Sequence, residues 1–360
     1  MNSLRSTSKI KKIVQEFSFW HEIRQKYRKL KIKRRLTWKQ RREIQSFFKE
    51  AIGRRVPLIW HKFLYSRTGV YSPYYIPVGV YRTEMIGRLN NFMFKDAYAD
   101  KNVADELFPD INQPKTFVKN INHHYYAEGM PITDEKALAL CQDLGDVIIK
   151  PSLLTRGQGV RRVTIAQGRV EGSQQTVEQL FAEYDRDFIV QSVVKQHERM
   201  AALNPASANT IRLLTYRHDM EVRLLYAVIR IGRAGQVIDN ESAGGISTYI
   251  DANGRLGKYA YGAPGYDHIE KTDSGITLEG YQIPSFDAVV ETVKALHMRL
   301  PYFNIAAWDF AVGENGEPVF IEWNADPDLS QSAFGPAFGE RPIALLKEIY
   351  QSRNTRHSYW

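Results

Sequence analysis

Cysteine is almost absent from this chain. Its one example, Cys141, excludes an internal disulfide framework and a thiolate zinc site. That fits a reducing compartment, so a cytoplasmic location is the expectation. No stretch approaches about 18 consecutive apolar residues, so no spanning helix is expected. The charged N-terminus lacks an apolar h-region, so a secretory signal is not expected either. Acidic residues are scarce where basic ones abound: residues 1–50 hold 16 Lys/Arg against 4 Glu, in a chain whose net charge is +9. The other 310 residues therefore sum to −3, and the basic character belongs to one segment. Also missing are a Walker A loop, a G-x-S-x-G elbow and any H-x-x-x-H pair, so no motif of those three chemistries is at hand. His123 and His124 are adjacent and would point to opposite faces of a strand. There is no internal repeat and no low-complexity segment.

What is present is an ordinary globular balance of 43% hydrophobic and 25% charged residues over 360 positions, enough to bury a substantial core in two or three subdomains. Residues 4–50 read as helix. Ile13, Phe17, Trp20, Ile23 and Tyr27 recur at three- and four-residue spacing with basic residues between them, which predicts an amphipathic helix packed on the body with a solvated basic face. An anionic membrane surface is the second reading of that face. No groove-reading motif accompanies the charge, so nucleic acid is not the expected partner. Residues 56–95, rich in aromatics, Pro and Gly, read as a connecting element. Asp100 is placed to cap a helix. "TFVKNI", "DVIIKPS", "RRVTIA", "DFIVQSVV", "IRLLTYR", "EVRLLYAVIRIG" and "ISTYID" read as strands. Helices are expected at 134–143, 175–184, 285–299 and 340–352.

Four groups of residues carry chemistry. In "WDFAVGENGEPVFIEWNADPD" the Asn315-Gly316 pair is a strong hairpin signal. With the turn there, Glu314 faces Glu317, Val312 faces Val319 and Asp309 faces Glu322, with Asn324 on the same face. Two facing carboxylates repel unless a cation lies between them, and these hard oxygens suit Mg²⁺; the bland alternative is a solvated hairpin end. In "IIKPSLLTRGQGVRRV" a strand ends in Lys150, and a loop with Ser152, Thr155, Gly157 and Gly159 can bring backbone N–H groups to an anion. Taken alone it is equally a hairpin loop. Arg212 and Arg230 sit on apolar strands, where a guanidinium needs an anion or an acidic partner. Asn240 follows in "IDNESAGG". Last, the strand "FIVQSVVKQHE" brings Gln191, Ser192 and Val193 and then Glu198 to an edge that can offer backbone groups to a base.

The order of these groups resembles the ATP-grasp superfamily over roughly residues 100–335, through Asp100-Lys101, Lys150 with its glycine loop, Gln191 to Glu198, Arg230 and Asn240, and the closing Asp309…Glu322-x-Asn324. "SANTIRLLTY", "RIGRAGQVIDNESAGGI" and "WDFAV…VFIEWNADPD" resemble the sugar-transfer-associated ATP-grasp family, with a further likeness to α-L-glutamate ligases. The resemblance implies an α+β fold, with two α+β subdomains whose antiparallel sheets grip ATP. A basic helical, aromatic-rich region would span 1–95, the first subdomain 96–190, and the second, with the Mg²⁺/phosphate site and a closing helix, 191–360. It implies that Lys101 and Lys150 bind ATP phosphates under the 152–159 loop, that residues 191–194 line adenine, and that Glu198 holds ribose. Arg230 and Asn240, with Arg212 beside them, would act on the transferred phosphate, and Asp309, Glu322 and Asn324 would hold Mg²⁺. The implied activity is a carboxylate–amine ligase working through an acyl-phosphate on small-molecule substrates of polysaccharide or cell-envelope assembly. A hydroxyl kinase and a non-catalytic nucleotide-binding module are the alternatives. Residues 1–50 would then be free to meet a membrane, at its inner face, or polysaccharide-assembly enzymes. ATP-grasp enzymes mostly begin with a Rossmann-like domain, which residues 1–95 do not resemble.

Overall fold

The computed structural model describes residues 2–155, 157–236, 239, 244–263, 267–339 and 342–351, with side chains from Val14 onward. Two antiparallel sheets organise the chain. The first runs in the order β3-β2-β1-β7-β4-β5-β6. Its strands are β1 Thr116–Ile121, β2 His124–Ala127, β3 Met130–Ile132, β4 Gly145–Pro151, β5 Arg161–Ala166, β6 Arg169–Val170 and β7 Phe188–Ser192. The second runs β10-β9-β8-β11-β12, built from β8 Thr210–His218, β9 Glu221–Ile231, β10 Ile246–Ile250, β11 Ile305–Val312 and β12 Pro318–Asn324. Each expected β-branched run thus forms a strand. The expected helices appear as Asp134–Leu140, Val177–Tyr184, Phe286–His297 and Ile343–Gln351. Thr133 and Thr176 cap the first two through their side-chain oxygens, which is why those helices start where they do.

The helices Asp134–Leu140 and Val177–Tyr184 cover the first sheet. Ala137, Leu180 and Phe181 are buried there with Val118, Val147, Ile149, Phe188 and Val190. The second sheet has two covers, and strand alternation assigns each face. Ile211, Leu213, Ala227, Ile229, Trp308 and Phe310 pack under the helix Phe286–His297 through Val289, Val293 and Leu296. Leu214, Tyr216, Tyr226, Val228, Ile305 and Ala307 point the other way, into a layer made largely by the N-terminal third.

That layer corrects two sequence expectations. Residues 4–50 are not one helix: α1 spans Asn2–Lys29 and α2 spans Trp38–Ile52. Thr37 and Gln40 form a reciprocal capping box that starts α2 afresh, and Gly53 ends it at φ +76°, a conformation that favours glycine. The stripe on α1 is also only half used: Ile23 is fully buried beside Trp60, Phe63 and Leu64, whereas Phe17 is 64% exposed. Residues 56–95 are no connector. They form α3, Ile59–Thr68, and then Val78–Val80, a π-helical turn Tyr81–Met85 and Ile86–Leu89 in unbroken succession. Ile76, Val80, Tyr81, Met85, Ile86 and Leu89 pack with Ile44 and Phe48 onto the second sheet. Aromatic and Pro/Gly content read as a linker because the buried face is spread over short helices with no sustained period. Among the described residues, no helix is long and apolar enough to cross a membrane.

Candidate nucleotide and metal site

The closing hairpin shows how the sequence builds the site. Its turn is one residue longer than a two-residue Asn-Gly turn: Gly313 donates to the Glu317 carbonyl at 2.8 Å, and Gly316 sits at φ +87°. Val312 therefore faces Pro318, and Ala311 faces Val319, correcting the expected Val312–Val319 and Glu314–Glu317 pairs. A bulge then leaves Ile321 without a partner and restores Asp309 opposite Glu322. The bulge changes which parity faces the core. Before it Phe320 is buried in the core, after it Trp323 is, and Glu322 and Asn324 turn to the opposite face. There they join Arg212 and Arg230, which share their face with Leu214 and Val228. One end of that face is apolar and roofed by the N-terminal layer. The other end is polar and open toward the first sheet.

Between the sheets lies a cavity of about 960 Å³. Of the residues singled out from the sequence, Lys101, Lys150, Thr155, Gln191, Arg212, Arg230, Glu322 and Asn324 line it. Lys150, at the end of β4, is only 8% exposed and makes no ion pair among the described residues. Burial pulls its ammonium down to about 8, against the pull of Glu322 and with the push of Lys101. Lys101 reaches the loop after β4, donating to the carbonyls of Leu154 (2.7 Å) and Ser152 (3.2 Å). It also lies 3.6 Å from a Glu322 carboxylate oxygen. Asp100 caps the short turn that carries Lys101 by accepting from the Asn102 N–H. Gly157 and Gly159 both have positive φ, +72° and +70°. A Cβ at Gly159 would come within 2.8 Å of the Pro151 ring, so the loop requires glycine there on two counts.

Asp309 does not line the cavity. It is fully buried, and Arg212 holds it in a two-point clasp, Nε–Oδ1 2.8 Å and Nη2–Oδ2 2.7 Å. Arg230 approaches the same oxygen at 3.1 Å and donates twice to Thr210 Oγ1 at 3.1 and 3.0 Å. Burial alone would raise the Asp309 carboxyl, but Arg212 and Arg230 outweigh it and hold it below the usual carboxylate range. Asp239, 3.6 Å from Arg230, is raised by burial, with Arg230 opposing.

Other expected site residues lie elsewhere. Ser152 is buried with its hydroxyl unpartnered among the described residues, and Ser192 Oγ accepts from the Lys115 N–H at 3.0 Å. Val193 belongs to the connection between the sheets, and Glu198 is exposed in the first turn of the helix Glu198–Leu203. None of these four lines the cavity. Asn240 lies outside the described residues.

Sequence reading missed Arg82. The π-helical turn carries it to the cavity, where it pairs with Asp326 and Asp328 in the loop just after Asn324. The signal was the "ADPD" after the last strand, two acids in want of a cation. At the cavity's far end stand Trp60, Arg67 and, from α1, Phe19 and Lys26.

The donor set suits a hard cation shared with phosphates. Glu322 and Asn324 both face the cavity, and among the described residues no hydrogen bond fixes the Asn324 amide nitrogen, so its oxygen is free to turn inward. No group of three acidic, His or Cys ligands occurs among the described residues. An ion here would complete its shell with phosphate oxygens and water, as Mg²⁺ does.

Residues 81–341 match the family described as sugar-transfer associated ATP-grasp. Among solved structures, a D-Ala:D-Ser ligase from Enterococcus faecalis is 14% identical, with 70% of this chain and 61% of that chain covered and a TM-score of 0.41. An L-amino acid ligase from Bacillus licheniformis is 12% identical over 72% and 49%, with a TM-score of 0.39. A biotin carboxylase from Campylobacter jejuni is 12% identical over 73% and 48%, with a TM-score of 0.43. The chain thus spans less than two thirds of the length of each of these structures. No curated protein matches it.

Proposed function

This chain belongs to the sugar-transfer-associated ATP-grasp family, and from that premise we propose that it is an ATP- and Mg²⁺-dependent ligase joining a carboxylate to an amine. One observation carries the reading: a single cavity gathers Lys101, Lys150, Arg212, Arg230, part of the loop after β4 and the oxygens of Glu322 and Asn324 from both sheets. Such a set has little covalent chemistry to perform. Its work is positioning and neutralising phosphate charge.

Lys150 supplies a buried cation to the phosphates, and Lys101 ties the 152–159 loop to Glu322 so that backbone N–H groups can close on them. Glu322 and Asn324 would hold Mg²⁺, which when bound would supply positive charge to the phosphates. Arg230 and Arg212 stand behind that point. Asp309 fixes both guanidiniums, so they need not reorganise during transfer. A substrate carboxylate takes the γ-phosphoryl group with loss of ADP, and an amine then displaces phosphate to leave an amide. No enzyme nucleophile is required. The far end of the cavity, with charges of both signs around Arg67, Arg82, Asp326 and Asp328, is where the acid and amine would sit. A sugar acid or another polysaccharide or cell-envelope precursor and an amino acid are our substrate classes.

The test is incubation with ATP, Mg²⁺ and a matrix of amino acids and uronic acids, with mass spectrometry of the product. An amide formed with release of ADP and phosphate supports the ligase. A stable phospho-product with no amide would replace it with a kinase.

A further inference from the structure

The region around the α1–α2 connection touches the cavity described above only through Lys26, yet it is dense in basic residues. Residues 23–42 contain eleven Lys/Arg and no Asp or Glu. Among the described residues only Lys26 of these eleven has a carboxylate partner, Glu22 at 2.7 Å. Like charges this dense repel one another, and a stretch kept only for solubility would gain from interspersed acids. Ile32 and Trp38, in the middle of the run, are 60% and 73% exposed. Their neighbours are not loose: Leu36 is buried, the Arg34 N–H donates to Ser66 Oγ at 2.8 Å, and the capping box fixes Thr37. The fold therefore holds an isoleucine and an indole out to solvent among unpaired cations. Arg42 lies over the Trp38 ring at 5.4 Å, so the indole and a cation present themselves together.

We propose that this surface docks the protein on an anionic lipid bilayer, with Ile32 and Trp38 entering the headgroup boundary and the surrounding cations facing lipid phosphates. Charge complementarity selects a polyanion, and the apolar pair selects among polyanions. Tryptophan favours the membrane interface, and an exposed aliphatic side chain gains only where hydrocarbon is available. A nucleic acid could stack a base on Trp38, but Ile32 offers it no π-face. The inference stands apart from the nucleotide reading. It also has a geometric consequence, because α1 supplies Phe19 and Lys26 to the far wall of the cavity. Docking through the end of α1 would bring that wall close to the lipid surface.

The test is sedimentation of the full chain with phosphatidylcholine vesicles, with and without phosphatidylglycerol. Binding to the anionic vesicles alone is expected, weakening steeply as salt rises toward about 1 M. Lys31→Gln, Arg35→Gln and Lys39→Gln together should lower binding on the order of 100-fold, at roughly fivefold per cation. Ile32→Ser with Trp38→Ser should lower it at least about tenfold while every cation remains. Both variants change exposed side chains, and an unchanged melting temperature confirms that they fold. Two results overturn the proposal: no preference for anionic vesicles, or full vesicle binding by the Ile32/Trp38 variant. A third, tighter binding to a short RNA that ignores the apolar pair, would assign the surface to nucleic acid instead.

Discussion

Arg212 and Asp309 face each other across the β8–β11 ladder and are joined by two parallel hydrogen bonds of 2.8 and 2.7 Å. Both are deep, and Arg230 leans on the same carboxylate. Removing Asp309 leaves two guanidiniums in low dielectric without their common partner. Breaking a buried pair in this way costs about 3–5 kcal/mol. Asp309→Ala should therefore unfold at clearly lower urea, and Asp309→Asn at an intermediate concentration. An Asp309→Ala protein with the wild-type midpoint would show that the clasp is not structural.

Glu322 is the cleaner probe of the metal reading, because it faces the cavity and is 24% exposed. Its substitution removes an oxygen donor and leaves the Arg212–Asp309 clasp in place, although it also takes away the carboxylate 3.6 Å from Lys101 whose charge supports the Lys150 ammonium. Glu322→Ala should retain the wild-type melting temperature within a few degrees and lose about 10²–10³-fold in ATP turnover. A turnover within a factor of three of wild type would remove Glu322 from the Mg²⁺ site.

Lys150 has its ammonium lowered from an ordinary 10.5 to about 8 by burial. The charged form binds phosphate, and it is the form present below the pKa. Nucleotide affinity should hold up to about pH 8 and weaken above it. Stability runs the other way. The unfolded lysine keeps its proton to about 10.5, so between roughly pH 8 and 10.5 the unfolded state binds more protons and stability rises with pH. In a Lys150→Met variant both trends should vanish. Affinity that stays flat to pH 10 in the wild type would contradict the phosphate role.

Gly159→Ala places a methyl group within 2.8 Å of Pro151 at a φ of +70°. The loop would have to shift its backbone. ATP should bind at least about tenfold more weakly, with the melting temperature lowered by a few degrees. Unchanged affinity would mean that the loop does not close over the ligand.

Much of this architecture was legible from residues alone. β-branched runs between turn residues located the strands, because a half-buried pleat selects those side chains whatever lies around it. The facing of Asp309 and Glu322 was legible too, though for an incomplete reason. The expected turn was one residue too short, and a bulge at Ile321 cancelled the error. Neither feature leaves a mark in the sequence, since Ile321 is an ordinary strand residue. The clasp on Asp309 was not foreseen as a pair either, because Arg212 and Asp309 are 97 positions apart and only the β8–β11 register joins them. Arg82 escaped for a related reason. It sits on a single π-helical turn inside a segment without periodicity, and its acids lie more than 240 positions away. The N-terminal cover of the second sheet was hidden by its short helices.

The most direct test of the central claim is calorimetric titration of the full chain with a non-hydrolysable ATP analogue and Mg²⁺. The account predicts one site per chain, a Mg²⁺-dependent affinity, and at least about tenfold weaker binding in a folded Lys150→Met variant. No binding, or binding with the same affinity in wild type and variant, would contradict it.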